Sequence, residues 1–302
     1  MGDFFVGLAG TDAGRTLALC LVLFSAMAHA TFGAINKGGV DPFVNRGAIN
    51  IVYGMFAAPF ALFVFPLPSA ELWFVFILVV AVHLVYESLQ SAAFHLGNFT
   101  LVYPIARGTG PLAGVLLATL IFHESYSALQ WTGVLVLSCS IFALAAANVR
   151  ASNVELTDVR RLVIAVLVAF ATGIMVAAYT NVDAYAIRLA RDPFTFLAWF
   201  FTLSGATFPF IAYWRWRQLA VKPDLRRLAV RGVIGAAVAY LSFGSIMLAT
   251  RLDSVGKAAA LRETSIIFAT LIGIFIFRER IDRLRLVIIA FITFGAVLVT
   301  AG

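Results

Sequence analysis

Arg107 and Arg262 are each followed 17 residues later by a glutamate, Glu124 and Glu279, and one offset of 155 residues relates the two pairs. Each arginine stands near the start of a long apolar run, YPIARGTGPLAGVLLATLIFHE in the first copy and GKAAALRETSIIFATLIGIFIFRE in the second. Seventeen helical residues rise about 25 Å, most of the roughly 30 Å hydrocarbon core of a bilayer. A cation inside such a helix costs about 2.5–3.5 kcal/mol on insertion scales, so each is a functional candidate. Its chemistry would be to hold a carboxylate or a phosphate. Arg107 lies four residues before Pro111 in Arg-Gly-Thr-Gly-Pro, where two glycines and a proline loosen a helix. Two readings stay open there. Arg107 faces a cavity beside loosened backbone, or it snorkels to the interface while the glycines serve close packing.

Other ionisable groups share these runs. Glu263 adjoins Arg262, and adjacent helical residues do not face one another. Glu263 therefore points to a different neighbour, across the interface between the halves, where it binds a cationic group, carries a proton or neutralises another helix. Thr264 and Ser265 continue this polar patch. His83 and Glu87 are spaced i, i+4 on one face, with Tyr86 between them and Gln90 beyond. Such a pair suits a proton relay or a structural hydrogen bond between helices. Asp183 reads as a solvated helix end. Tyr103, Tyr86, Trp199 and Tyr240, with His29 and Tyr53, are candidate pocket walls, although Tyr and Trp also form interfacial belts. Glu124 and Glu279 end their runs at short turns, where Ser125 or Asp282 can cap the next helix.

These residues are set in a chain that is 62% hydrophobic and only 12% charged, with a mean hydropathy of +0.97. A soluble domain carries about 25% charge. The fold class is therefore an all-α integral membrane protein in a cell membrane, of the multi-pass kind found in bacterial inner membranes. The net charge of +7 is read as loop Lys and Arg rather than a nucleic-acid surface. Cys20 and Cys139 both lie in apolar runs and read as small core residues, without a disulfide or a metal site. No cofactor motif is present: there is no Walker-type loop, His123-Glu124 is not part of an HExxH, and no catalytic set stands out.

Apolar runs place ten transmembrane helices near 16–35, 44–65, 71–93, 99–121, 129–147, 160–184, 193–213, 228–249, 257–277 and 284–301. Ala28-His29-Ala30 resembles a signal cleavage site, but the leader carries Asp3 and Asp12 against one arginine, so the first span is expected to stay. Residues 148–160 read as a linker between two halves, 1–148 and 149–302. Asp-Pro-Phe recurs at 41–43 and 192–194, each time just before a span, with Pro59 and Pro209 at similar depth. Five spans per half invert the second half relative to the first, and inverted repeats recur in secondary transporters with a midplane site. Lys and Arg fall fifteen to one side and five to the other, which puts both termini away from the cytoplasm.

The Arg-Gly-Thr-Gly-Pro helix ending in Glu124, the helix ending in Phe-Arg-Glu, and the Gln130-Trp131-Thr132-Gly133 start of the next span resemble the EamA branch of the drug/metabolite transporter superfamily. In the second half, Gly295 is the only glycine of the last span before the terminus. The resemblance implies two EamA-like five-helix repeats enclosing a central cavity lined by spans one, three, four, six, eight and nine. It implies export or exchange of metabolites such as amino acids and sugar phosphates. By position it carries substrate contact onto Arg107, Arg262 and Glu263. It also implies cytoplasmic termini and a basic loop between spans two and three, where this chain has the uncharged-to-acidic Phe65-Pro-Leu-Pro-Ser-Ala-Glu71.

Together these readings favour a secondary transporter of a small polar metabolite, anionic or zwitterionic, with Glu87 and His83 as proton-coupling candidates. The expected partners are that small molecule and membrane lipid, not nucleic acid. Oligomeric state is left open. A membrane-embedded enzyme acting on a lipid-linked substrate would have only His123, Glu124 and Tyr126 to work with. A non-transporting assembly subunit would need a partner domain that the sequence does not supply.

Overall fold

The computed structural model describes residues 2–36, 40–97, 99–151, 159–275 and 283–301. Glu279, Asp282 and the centre of the 148–160 linker lie outside the described residues. A short α1 (Gly2–Gly7) precedes α2 (Asp12–Asn36), α3 (Pro42–Phe63), α4 (Ala70–Leu96), α5 (Phe99–Phe122) and α6 (Ala128–Ala151). The second half contains α7 (Val159–Leu189), α8 (Pro193–Gln218), α9 (Leu225–Ala239), α10 (Ser245–Leu252), α11 (Val255–Arg262), α12 (Ser265–Phe275) and α13 (Arg283–Ala301). A π-helical turn, Tyr240–Gly244, joins α9 to α10. Among the described residues, nine spans are long and apolar enough to cross a membrane. Where 257–277 was expected to be one span, the chain instead forms two half-helices, α11 and α12. The protein is an all-α, multi-pass membrane protein.

The repeated Asp-Pro-Phe builds the same start twice. Asp41 Oδ1 accepts from the backbone N–H of Phe43 at 3.0 Å, and Asp192 Oδ1 accepts from that of Phe194 at 3.0 Å. The proline between them occupies the first helical turn, where its missing N–H costs nothing. These two helices then pack on each other through glycines. A Cβ on Gly205 would lie 2.4 Å from the Gly54 Cα, and one on Gly54 would lie 2.9 Å from the Gly205 Cα. α6 and α13 meet in the same way: a Cβ on Gly133 would lie 2.8 Å from the Gly295 carbonyl oxygen, and one on Gly295 would lie 2.9 Å from that of Gly133. Small residues let backbones approach this closely where no hydrophobic effect drives helices together.

The outer faces are apolar, with residues such as Phe63, Phe74 and Phe210 pointing outward. Both cysteines also sit on the outside rather than in the core. They are small apolar residues facing what a bilayer would fill, a distinction that hydrophobicity alone does not make.

Gly205→Leu forces a side chain into backbone on α3. Overpacking of this kind costs about 1–3 kcal/mol, and a melting curve of the purified protein in detergent should shift downward accordingly.

Candidate functional site

The break between α11 and α12 falls at Glu263 and Thr264. Glu263, Thr264, Ile266 and Ile267 all donate backbone N–H bonds to carbonyls three residues back, and the Thr264 hydroxyl turns back to the Leu261 carbonyl at 2.7 Å. Tight i to i+3 bonding of this kind ends an α-helix. It leaves Arg262 and Glu263 at the inner end of a short helix, deep in the protein. By contrast, α5 runs unbroken past Pro104 and Pro111. Its glycines serve packing: Gly108 backs onto the Phe142 ring, Gly110 onto Val176 and Gly114 onto Ala259. The discontinuity expected at Arg107 therefore lies on the other arginine helix.

Arg107 and Arg262 are 4% and 2% exposed, so neither snorkels to an interface. Arg107 Nη1 donates to Glu263 Oε1 at 2.9 Å and its guanidinium lies 5.4 Å from the Tyr103 ring. Glu263 thus faces across to the other half, as its position beside Arg262 requires. Arg262 donates to the Tyr179 hydroxyl at 3.1 Å and to Ser242 Oγ at 3.4 Å, and its guanidinium lies 4.9 Å from the Phe243 ring. Its Nε has no hydrogen-bond partner, and neither has Glu263 Oε2. Among the described residues no carboxylate forms an ion pair with Arg262.

His83 and Glu87 share a face but serve different partners. Glu87 accepts from Arg46 Nη2 at 2.5 Å and Asn50 Nδ2 at 2.8 Å, with the Tyr53 hydroxyl at 3.5 Å. His83 Nε2 lies 2.9 Å from Asp183 Oδ2. Two sequence readings are corrected here. Asp183 is not a solvated helix end but 2% exposed, and Arg46 is not a loop cation but 7% exposed. Both were missed because each stands within two residues of the end of its expected span, 44–65 or 160–184, where a charge reads as a surface group, whereas α3 and α7 continue past that end. Their spacing held a signal: Asp183 lies four residues, one helical turn, after Tyr179.

The fully buried charges among the described residues are therefore Arg46, Arg107 and Arg262 against Glu87, Asp183 and Glu263. With His29 and His83 neutral they cancel. His29 approaches Ser242 Oγ at 3.3 Å, and Ser25 Oγ donates to the Ser242 carbonyl at 2.6 Å. The π turn thus ties α2 to the Arg262 environment. Tyr86, Gln90, Tyr103, Arg107 and Val176 line a cleft about 10 Å³ in volume to the centre of a water-sized sphere, room for a single water. Of the expected residues, Tyr86, Tyr103 and Arg107 line this cleft, Glu263 is joined to it through Arg107, and Arg262 lies beyond Tyr179, whose ring centroid is 4.6 Å from that of Tyr86. Trp199 and Tyr240 pack elsewhere: Trp199 against Trp73 with ring centroids 4.9 Å apart, and Tyr240 against Phe201 at 4.1 Å with its hydroxyl donating to the Tyr53 carbonyl.

Glu124 does not organise its own turn. Its carboxylate accepts from the N–H groups of Val255 at 2.8 Å and Gly256 at 3.2 Å and from Ser254 Oγ at 2.7 Å. It thereby caps α11, favourably placed at the positive end of that helix. Tyr126 donates to the same carboxylate, and burial, then this bond, holds its phenol well above its ordinary value. His123 sits at φ 53 and terminates α5. Ser127, not Ser125, caps α6, accepting from the Gln130 N–H at 3.2 Å while Gln130 Oε1 accepts from its own N–H at 2.9 Å. The trio His123, Glu124 and Tyr126, which an enzyme would need, is thus engaged in ending and starting helices.

A bundle of apolar spans around a balanced set of buried charges defines a multi-pass membrane protein. Residues 163–301 match the EamA-like transporter family, the family that the sequence resembles. Members of that family are membrane transporters of small molecules, not enzymes. A solved structure, described only as the crystal structure of a protein, superposes with a TM-score of 0.74, covering 95% of this chain and 98% of its own at 19% identity. At that identity it shows a shared fold over nearly the whole length. No curated protein matches the sequence.

Arg46→Leu strands Glu87 in a buried site, and breaking such a pair costs about 3–5 kcal/mol. The double variant Arg46→Leu with Glu87→Leu should recover most of that loss, as read by thermal melting of the three proteins side by side.

Proposed function

We propose that the chain is a secondary transporter that moves a small anionic or zwitterionic metabolite, such as an amino acid or an organic acid, outward across a cell membrane. The observation that carries this reading is Arg262, a buried guanidinium held by two hydroxyls and an aromatic face, with a free Nε and, among the described residues, no ion-paired carboxylate. A buried cation so placed is completed by an incoming anion. The neighbouring Glu263 Oε2 is unpaired, a position suited to a ligand amine. Arg107, already neutralised by Glu263, orients that carboxylate and takes up the ligand's second contact if Glu263 swings away.

The cleft beside Arg107 is too narrow for a metabolite, so a ligand enters only after helices separate. We read the two halves, 1–148 and 149–302, as inverted repeats that rock about this layer. The support is that repeat mates touch each other: α3 with α8 and α6 with α13, each across a glycine pair. Contact between equivalent helices is what a two-fold axis in the membrane plane produces.

The test is thermal stability of the purified protein against amino acids, organic acids and phosphorylated sugars. A ligand at 100 times its dissociation constant stabilises by about 2.7 kcal/mol. Arg262→Ala is expected to erase that stabilisation and to abolish uptake of the same compound into proteoliposomes. Undiminished transport by this variant at wild-type protein levels would remove Arg262 from the site.

A further inference from the structure

We infer that the His83–Asp183 pair is the proton site of this protein, and that its proton is linked by charge balance to whatever anion completes Arg262. Among the described residues three carboxylates are buried in the interior, and two are held by guanidinium groups at direct contact. Glu87 is held by Arg46, with Asn50 and Tyr53 adding their donors, and Glu263 by Arg107. A proton on either would leave an arginine buried without its anion. Asp183 is different. Its ion-pair partner is an imidazole, so a proton shared between the two strands no guanidinium.

The groups facing the pair are few. From α4 come Tyr86 and, one turn from His83, Glu87, already held by Arg46. From α7 comes Tyr179, whose ring centroid lies 4.8 Å from that of His83. The α8 and π-turn faces present the rings of Phe200, at 4.8 Å, and Phe243, at 6.3 Å. From α11 comes Arg262, bonded to the Tyr179 hydroxyl and within electrostatic reach of Asp183. Tyr179 and Asp183 stand one turn apart on one face of α7, so the anion position and the proton position are adjacent on the same helix.

The arithmetic of the interior then determines the coupling. By formal charge, with histidine counted as neutral, the described interior holds three cations and three anions and sums to zero when empty. A monoanion arriving at Arg262 leaves one uncompensated negative charge in a low-dielectric site, which is costly. A proton taken up by the His83–Asp183 pair cancels it. The two ligands bind with mutual reinforcement, the proton entering from the compartment the anion leaves and departing with it on the other side. A zwitterion brings no net charge and needs no proton. The geometry thus points to anion–proton symport, not exchange. The symport consequence rests on the anion site proposed above; the electrostatic linkage between Arg262 and the pair does not.

The linkage is tested without any ligand. Arg262→Leu removes one buried positive charge, as an anion does by neutralising it. At neutral pH the infrared difference spectrum between this variant and the wild type should show a newly protonated group. The signal is either a carboxylic-acid C=O band or an imidazolium ring band, since a strongly coupled pair titrates as a unit. Adding Asp183→Asn should abolish the signal. A featureless difference spectrum overturns the linkage. A band that persists in the double variant places the proton on Glu87 or Glu263 and overturns the assignment. Should Arg262→Leu fail to accumulate, recovery of folded protein in Arg262→Leu with Asp183→Asn supports the charge balance, and failure of both overturns it. If the infrared result holds while Arg262→Ala still transports normally, the anion site at Arg262 fails and the linkage stands.

Discussion

Charge placed in a low-dielectric interior must be cancelled locally, and this constraint organises the protein. An isolated buried ion is too costly to tolerate, while a paired one is tolerable only with good geometry and satisfied lone pairs. Here the buried arginines and carboxylates are equal in number among the described residues, and they come from five different elements, α3, α4, α5, α7 and α11. No single helix could hold this set. Each ion pair is thus also a statement about which helices must be adjacent: α3 with α4, α5 with α11, and α4 with α7.

Close approach of helices is the complementary requirement. In a bilayer, apolar side chains gain little from meeting one another, so packing relies on small residues and interhelical polar contacts. Gly54 with Gly205 and Gly133 with Gly295 bring backbones together at two places. The glycines of Arg-Gly-Thr-Gly-Pro do the same for α5, and this is why a stretch that looks like a loosened helix is in fact a tightly packed one.

The short helix α11 connects the ends of this design. It is eight residues long, about 12 Å, with Glu124 capping its start and Arg262 at its end. The carboxylate that looked like a turn residue is thus joined to the arginine that carries the functional reading. An equivalent role for Glu279 would follow from the repeat, but that residue lies outside the described part of the chain.

Much of this protein was legible in one dimension. Apolar spans, the recurring Asp-Pro-Phe starts and the presence of buried arginines all follow from local hydrogen bonding and transfer energies. These act within one turn or one span, so sequence alone specifies them. Partner choice is different, because it depends on distances between helices that no spacing records. The fold decided that Glu263 neutralises Arg107 while Arg262 is left with hydroxyls, and that His83 turns to Asp183 while Glu87 turns to Arg46. It drew Arg46 and Asp183 inward and moved the helix break from Arg107 to Glu263. The physical reason is the same in each case: a buried charge is settled by the nearest opposite charge in space, and only packing determines which one that is.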